Sequence, residues 1–252
     1  MNQQPAAPSR TGRRALLAGV AVVVIALLAG AAYGVWYLFL QPAGPSAVAG
    51  ASLAPVPSNA AVKPLGSDGM AGTWNVDTSI GAFTDFSGSW VGYRVQEQLA
   101  SIGANTAVGR TPNVTGSLTI AGTQVTAATI TADLTTLQSD DQRRDGQLDR
   151  QGIETGTYPK ATFTLTSPID LKTVPADGVE IDETATGTLE LHGQTKSVQI
   201  ALKARLSGSI VEVTGSLPIV WADYQISKPN SFSVVSIADQ GTMELQLFFA
   251  KA

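Results

Sequence analysis

The chain has a single histidine, His192, and no cysteine. One His cannot build a zinc site of several His ligands within the chain. The absence of Cys excludes thiol nucleophiles, disulfides and thiolate metal sites. As a general base His192 would need an oriented nucleophile within hydrogen-bond reach, and no local motif supplies one. It stands beside Gly193-Gln194-Thr195, where a turn is expected, and a polar turn residue is the simpler role. A second cluster, over 139–151, holds Asp140, Asp141, Arg143, Arg144, Asp145, Asp149 and Arg150. It lacks the glycine-rich loop of a phosphate cradle and the alternating oxygen ligands of a calcium loop. A solvated short helix laced by ion pairs is expected instead, with one or two charges bracing the fold. Asn113-Val114-Thr115 is a glycosylation triplet, which matters only in a glycosylating host. No catalytic residue, metal ligand or cofactor is assigned.

What the chain does supply is apolar surface with a period of two. Over 185–206, Val198, Ile200, Leu202, Ala204 and Leu206 alternate with Ser197, Gln199, Ala201, Lys203 and Arg205. Gly187, Leu189 and Leu191 alternate in the same way with Thr188, Glu190 and His192. Successive strand side chains point to opposite faces, so each strand has an apolar row and a mostly polar one. The spacing predicts a hairpin here and further strands over 73–77, 89–99, 114–120, 124–134, 160–165, 210–220 and 241–251. In the last, Met243, Leu245, Leu247 and Phe249 form one row. Residues 222–239 are expected as a loop. Ser139 is a candidate N-cap for the short helix, with Asp140 and Asp141 in its first turn. The fold class is all-β and antiparallel, with about eight strands and one short helix. Such a sheet must close into a barrel or pack as a filled sandwich. Tyr93, Phe163 and Phe232 fit either, as cavity lining or as core.

Ahead of this domain the composition changes twice. Residues 1–14 are short and basic, with Arg10, Arg13 and Arg14. From Ala15 to Leu40 no residue is charged, which predicts a transmembrane helix over 15–40. The preceding arginines favour a cytoplasmic N-terminus, and Tyr33, Trp36 and Tyr37 suit the outer interface. A signal peptide cleaved near Ala47-Val48-Ala49 is the competing reading. Residues 41–72 carry Pro42, Pro45, Pro55, Pro57 and Pro64 among Ala, Gly and Ser, which predicts a partly extended tether. The β domain is expected over 73–252. Lys and Arg total 16 against 20 Asp and Glu, and three of the cations lie in the N-terminal segment. A domain this acidic is a poor partner for nucleic acid.

Three blocks resemble the YceI-like family of bacterial extracytoplasmic proteins. They are Arg144-Asp145 with Leu148, Tyr158-Pro159 and Phe163; then Gly187-Thr188-Leu189 with His192-Gly193-Gln194-Thr195-Lys196; then Ala222-Asp223-Tyr224 with Ile237-Ala238-Asp239. In this order they cover nearly the whole of 73–251. The resemblance implies a lipocalin-like antiparallel barrel whose elongated apolar cavity holds a polyisoprenoid chain. In one respect the sequence departs from the family. Gly88-Ser89 stands where the family has a His-Ser pair, and Tyr93-Arg94-Val95-Gln96-Glu97 where it has an aromatic-x-Val-x-His run. Headgroup contacts made by those histidines do not carry over.

The expected protein is therefore a non-enzymatic, membrane-tethered binder of an isoprenoid lipid of polyprenol or quinone type, on the outer face of the cytoplasmic membrane. The lining is expected from Val91, Tyr93 and Val95 on one strand, Ile130 on a second, and Phe163 and Leu165 on a third. Leu189 and Leu191, then Val198, Ile200 and Leu202, supply the central hairpin's share. The alternatives are an interaction module of the envelope with a filled core and a lipid-modifying enzyme.

Overall fold

The structure, a computed structural model, describes residues 10–39, 45–48, 51–100, 103–230, 232 and 234–252. It divides into two units, 1–43 and 44–252. The first holds helix α1, Arg10–Phe39, whose side chains are described from 19 to 35. Among the described residues no helix is long and apolar enough to cross a membrane. The expected span over 15–40 ends at Leu40, outside the described residues, as does the start of the basic segment 1–14.

The second unit is all-β. Its strands are β1 Gly72–Val76, β2 Trp90–Leu99, β3 Gly103–Thr111, β4 Val114–Ala121, β5 Gln124–Asp133, β6 Gln138–Ser139 and β7 Lys160–Leu165. They continue as β8 Ile169–Asp170, β9 Glu180–Leu191, β10 Gln194–Ser207, β11 Ile210–Val220, β12 Val234–Ile237 and β13 Gln240–Lys251. Eight of them, in the order β1-β4-β5-β7-β9-β10-β11-β13, close a ring of antiparallel pairs through the β1–β13 contact. One edge of β13 is shared. Phe249, Ala250 and Lys251 pair with β1, whereas Thr242 to Gln246 pair with β2. Strands β2, β3, β6 and β12 extend the sheet from there.

The central hairpin forms as the alternation predicts, with Gln194 opposite Leu191 and Arg205 opposite Glu180. Its two-residue turn has positive φ at both His192 (51°) and Gly193 (69°). That is the turn whose twist matches a right-twisted hairpin, so His192 is itself a turn residue in the left-handed region. The expected count of about eight strands describes the ring, but β3 is an addition. Its Ala107, Val108, Gly109, Arg110 and Thr111 are all buried, so over this half neither face is wet and no alternation marks it. Strand β12 likewise lies in the expected loop over 222–239.

The short helix α2, Gln142–Gln147, is capped by Asp141 rather than Ser139. The Asp141 carboxylate accepts from Arg143 N at 2.8 Å. Ser139 instead donates its hydroxyl to Asp145 at 2.6 Å. A π turn, Leu148–Gly152, follows. Arg144 braces the sheet as one of the charges expected to do so. Its guanidinium lies 2.9 Å from buried Glu97 of β2 and also holds Asp140. Burial lowers the Arg144 pKa, but these carboxylates outweigh it and the net shift is upward.

Most of the expected tether over 41–72 falls in the second unit. The described residues of 45–71 belong to the barrel unit and have no regular structure; the early part meets charged side chains on the barrel's outer face, and Met70 reaches the cavity wall. The outer face carries buried charges. Arg94 Nε lies 3.2 Å from Glu244 Oε1, and Arg110 Nη2 lies 3.9 Å from Glu244 Oε2. Arg205 pairs with Glu212. This strap supplies further partners, while Arg110 Nε, Arg205 Nε and Glu212 Oε1 have none among the described residues. Arg94 donates to the Pro45 carbonyl, Arg110 to Ser46 at 3.4 Å and Arg205 to Ala54. Val48 N donates to Glu244 at 3.2 Å, and Leu53 N to Glu180 at 3.0 Å. The Arg110 guanidinium also stacks on the Trp90 ring at 3.7 Å and the Phe86 ring at 4.4 Å. Burial pulls its pKa down to about 10 against the opposing charge of Glu244.

Glu244 is 1% exposed and is shared by two arginines. Glu244→Ala would leave both guanidinium groups without their counter-charge, and urea unfolding should show a loss of about 3–5 kcal/mol. Glu212 gives a test in pH. Burial raises its pKa, Arg205 lowers it, and the net is upward. The native state then holds this proton more tightly than the unfolded chain. Its contribution to stability falls as pH climbs from the ordinary glutamate range through the raised value. Subtracting the Glu212→Gln stability profile from that of the wild type should reveal that downward slope.

Candidate functional site

The ring is hollow. The inward rows of β9, β10, β11 and β13 face those of β4, β5 and β7 across a cavity of about 140 Å³. On β9 the wall runs from Ile181 through Ala185 to Leu189. Eight residues of rise at ~3.3 Å make this wall roughly 26 Å long, so the cavity is elongated. Small side chains make the space. Ala128, Ala132 and Ala161 lie on one side, with Ala185 and Ala204 on the other. At Gly187 a Cβ would stand 2.3 Å from the Thr164 carbonyl and 2.6 Å from the Phe163 ring. Only glycine lets Phe163 lie against that strand.

The lining is almost wholly aliphatic and aromatic, with Glu183 and Arg205 its ionisable members. The Arg205 guanidinium is committed to Glu212 and the Ala54 carbonyl. Apolar walls enclosing an elongated space suit a hydrocarbon chain, which gains roughly 25 cal/mol per Å² removed from water, before ordering costs.

Of the lining residues expected from the sequence, Val91, Ile130, Phe163, Leu165, Leu189, Ile200 and Leu202 stand on this wall. Tyr93, Val95, Leu191 and Val198 do not. β2 joins the sheet beside the closed ring, and only Val91 near its start reaches the cavity. The Tyr93 ring packs over Gly109, where a Cβ would be 2.3 Å from Cε1. Burial pushes the Tyr93 phenol up, and Arg144, Asp145 and Glu97 act on it from nearby. Val95 is buried opposite Ala107 of β3. Leu191 and Val198 lie at the turn end of the hairpin, packed against a core of Leu189, Ile200, Leu217, Ile219 and Tyr224. Phe232, the third aromatic candidate, is fully exposed.

The sequence reading did not assign the walls from β4, β11 and β13, which bring in Leu118, Ile120, Val211, Val213, Leu245 and Phe249. The β13 row was legible as alternation. Nothing local said that it faces the cavity, or that Leu171 and Pro175 of the connection after β8 complete it.

His192 is away from this wall. It is buried in its turn, with Nδ1 2.9 Å from the Tyr224 carbonyl and its ring centre 4.2 Å from that of Tyr158. Nε2 lies 3.8 Å from Glu154 Oε2. These contacts tie the hairpin turn to two loops, a structural task. Among the described residues no group of three or more His, Asp or Glu is placed to hold a metal.

A closed antiparallel barrel with an elongated apolar interior is the architecture of a small-lipid container. The chain belongs to the YceI-like family, whose domain matches residues 74–249. Two solved structures share the fold. A polyisoprenoid binding domain from Saccharophagus degradans, implicated in plant cell wall breakdown, is 22% identical, with a TM-score of 0.54. The match covers 71% of this chain and 98% of that one. BcnA of Burkholderia cenocepacia is 21% identical over 69% of this chain and 98% of its own, with a TM-score of 0.51. Among curated proteins there is no match.

If the hollow is the working part of the barrel, filling it should cost function and not stability. Ala161→Leu with Ala204→Leu adds apolar volume from two walls. The expected result is an unchanged or higher stability, by about 0.5–2 kcal/mol, and loss of bound lipid from the purified protein. A strongly lowered unfolding temperature would mean that the alanines are close-packed rather than bordering open space.

Proposed function

We propose that the protein sequesters or carries an isoprenoid lipid of polyprenol or quinone type, with the tail lying along the barrel interior. The observation that carries this reading is the elongated apolar wall from Val91 and Leu189 to Leu171 and Ile181. The polyisoprenoid-binding relative of the same fold supports the ligand class. The binding reading is supported by the lining, which offers almost wholly aliphatic and aromatic contact. The cavity also weighs against an interaction module with a filled core.

The same proposal places the barrel on the outer face of the cytoplasmic membrane, tethered by the uncharged run from Ala15 to Leu40. In α1, Val22, Ile25, Leu27 and Leu28 are exposed, and apolar side chains distributed around a helix call for an apolar surrounding. Arg10, Arg13 and Arg14 before the run favour an N-terminus that stays inside.

Two measurements test this. The protein purified from its native host is extracted with organic solvent and the extract analysed by mass spectrometry. One isoprenoid per chain is the expected content, and a lipid-free protein that takes up no added polyprenol or quinone would defeat the carrier reading. Spheroplasts treated with protease should lose the barrel while the N-terminal segment stays with the membrane. A protected barrel would refute the orientation, and a barrel released intact before proteolysis would point to a cleaved leader.

A further inference from the structure

The cavity wall carries one carboxylate that no hydrogen bond or salt bridge engages among the described residues, although its charge acts on Lys172. Glu183 lies on β9 between Ile181 and Ala185 and opposite Leu202 of β10, and all four residues line the cavity. Every second residue of β9 faces inward, so this carboxylate interrupts an apolar row. The residue is half-buried, so water supplies its donors, and a ligand that displaces that water must replace them.

Its position is at one end of the cavity. Leu171 and Pro175, from the connection between β8 and β9, complete the wall there, and Val174 of the same connection is exposed. Lys172 is also exposed, and its pKa is raised first by its hydrogen bond and charge contact with Asp170 and then by Glu183. Glu183 is therefore within electrostatic reach of solvent-side groups, whereas Leu189 and Met243 line the opposite end. A tail lying along the barrel would bring its head to this carboxylate.

The nearby cations are already taken. Lys172 pairs with Asp170 at 2.8 Å. Lys203 pairs with Asp182 at 2.9 Å and Glu180 at 3.8 Å, and Arg205 pairs with Glu212. Lys251, three strands round the ring, gives its ammonium to the Gly69 carbonyl at 2.7 Å. A phosphate head would meet the Glu183 charge with each of these cations engaged elsewhere. A hydroxyl head would offer a donor in place of the displaced water.

We propose that Glu183 selects the ligand's head, accepting a hydrogen bond from the hydroxyl of a polyprenol or quinol and repelling phosphorylated isoprenoids. This rests on the carrier reading and adds to it the chemistry of the polar end.

The test uses the full chain in detergent micelles and a polyprenol bearing a photoactivatable group on its tail, with cross-links mapped to barrel peptides. Unlabelled polyprenol and its monophosphate ester of equal chain length compete for the site. In the wild type the alcohol should compete at least about tenfold better, the size expected of a like-charge contact partly screened by water. Glu183→Gln keeps the shape and removes the charge, so the gap should close to within about threefold. Glu183→Lys should reverse the preference. Thermal unfolding of each variant confirms that the barrel is intact. Equal competition by both lipids in the wild type, or an unchanged preference in Glu183→Gln, would overturn the role of Glu183 and leave the carrier reading standing. Absence of cross-links to barrel peptides in the wild type would defeat both.

Discussion

Closure of the ring is the constraint on which everything else depends. It is made by a short contact, Trp74, Asn75 and Val76 of β1 against Phe249, Ala250 and Lys251 of β13. Trp74 is fully buried, and its indole N–H donates to the Met70 carbonyl at 2.9 Å. That anchor holds β1 in the gap between β4 and β13. With the ring closed, eight strands set a radius that long side chains can fill. Here the inward positions of β5, β7, β9 and β10 include five alanines, and the radius exceeds what they occupy. The cavity thus follows from strand number combined with residue size.

The outer face of the same strands meets a different constraint. β11 and β13 are covered on the outside as well, so Glu212, Glu244 and Phe248 are each 1% exposed. A strand buried on both faces would ordinarily read as a continuous apolar run. These strands keep a charged outer row and pair it with arginines from β2, β3 and β10. Buried ion pairs seldom stabilise more than apolar packing of equal volume would. Their consequence here is positional. Arg94, Arg110 and Glu244 fix how β2 and β3 lie against β13, and the Trp90 and Phe86 rings enclose the guanidinium of Arg110.

Much of the ring was legible in the sequence because alternation is a local property. The rows through Leu189, Ile200 and Leu202 read directly as one face of a hairpin, and that face proved to be the inner one. Alternation does not say whether a strand belongs to the ring. The Val91-Tyr93-Val95 row is as regular as the others, yet β2 stands beside the closure, paired with β3, and only Val91 of its row reaches the cavity. Nor does it say where the cavity stops along a strand. Leu191 and Val198 continue their rows into packed core near Tyr224. β3 was invisible because both faces of its second half are covered. Glu183 was passed over because it lies just ahead of the best-patterned stretch, where one carboxylate reads as a lapse in the row.

The strap shows why composition can be right about a segment's structure and silent about its partners. Residues 45–71 form no core of their own, as their Pro, Gly and Ala content implies. A chain without helix or ladder leaves its carbonyls and amides unpaired, however, and these are the groups that buried charges need. Arg94, Arg110 and Arg205 take carbonyls of Pro45, Ser46 and Ala54, and Glu244 and Glu180 take amides of Val48 and Leu53. None of these contacts depends on the strap's side chains, so none leaves a mark in residue type. The signal lay on the other partner, in charged residues placed mid-strand on β2, β3, β11 and β13, where an all-β domain would otherwise hold apolar side chains.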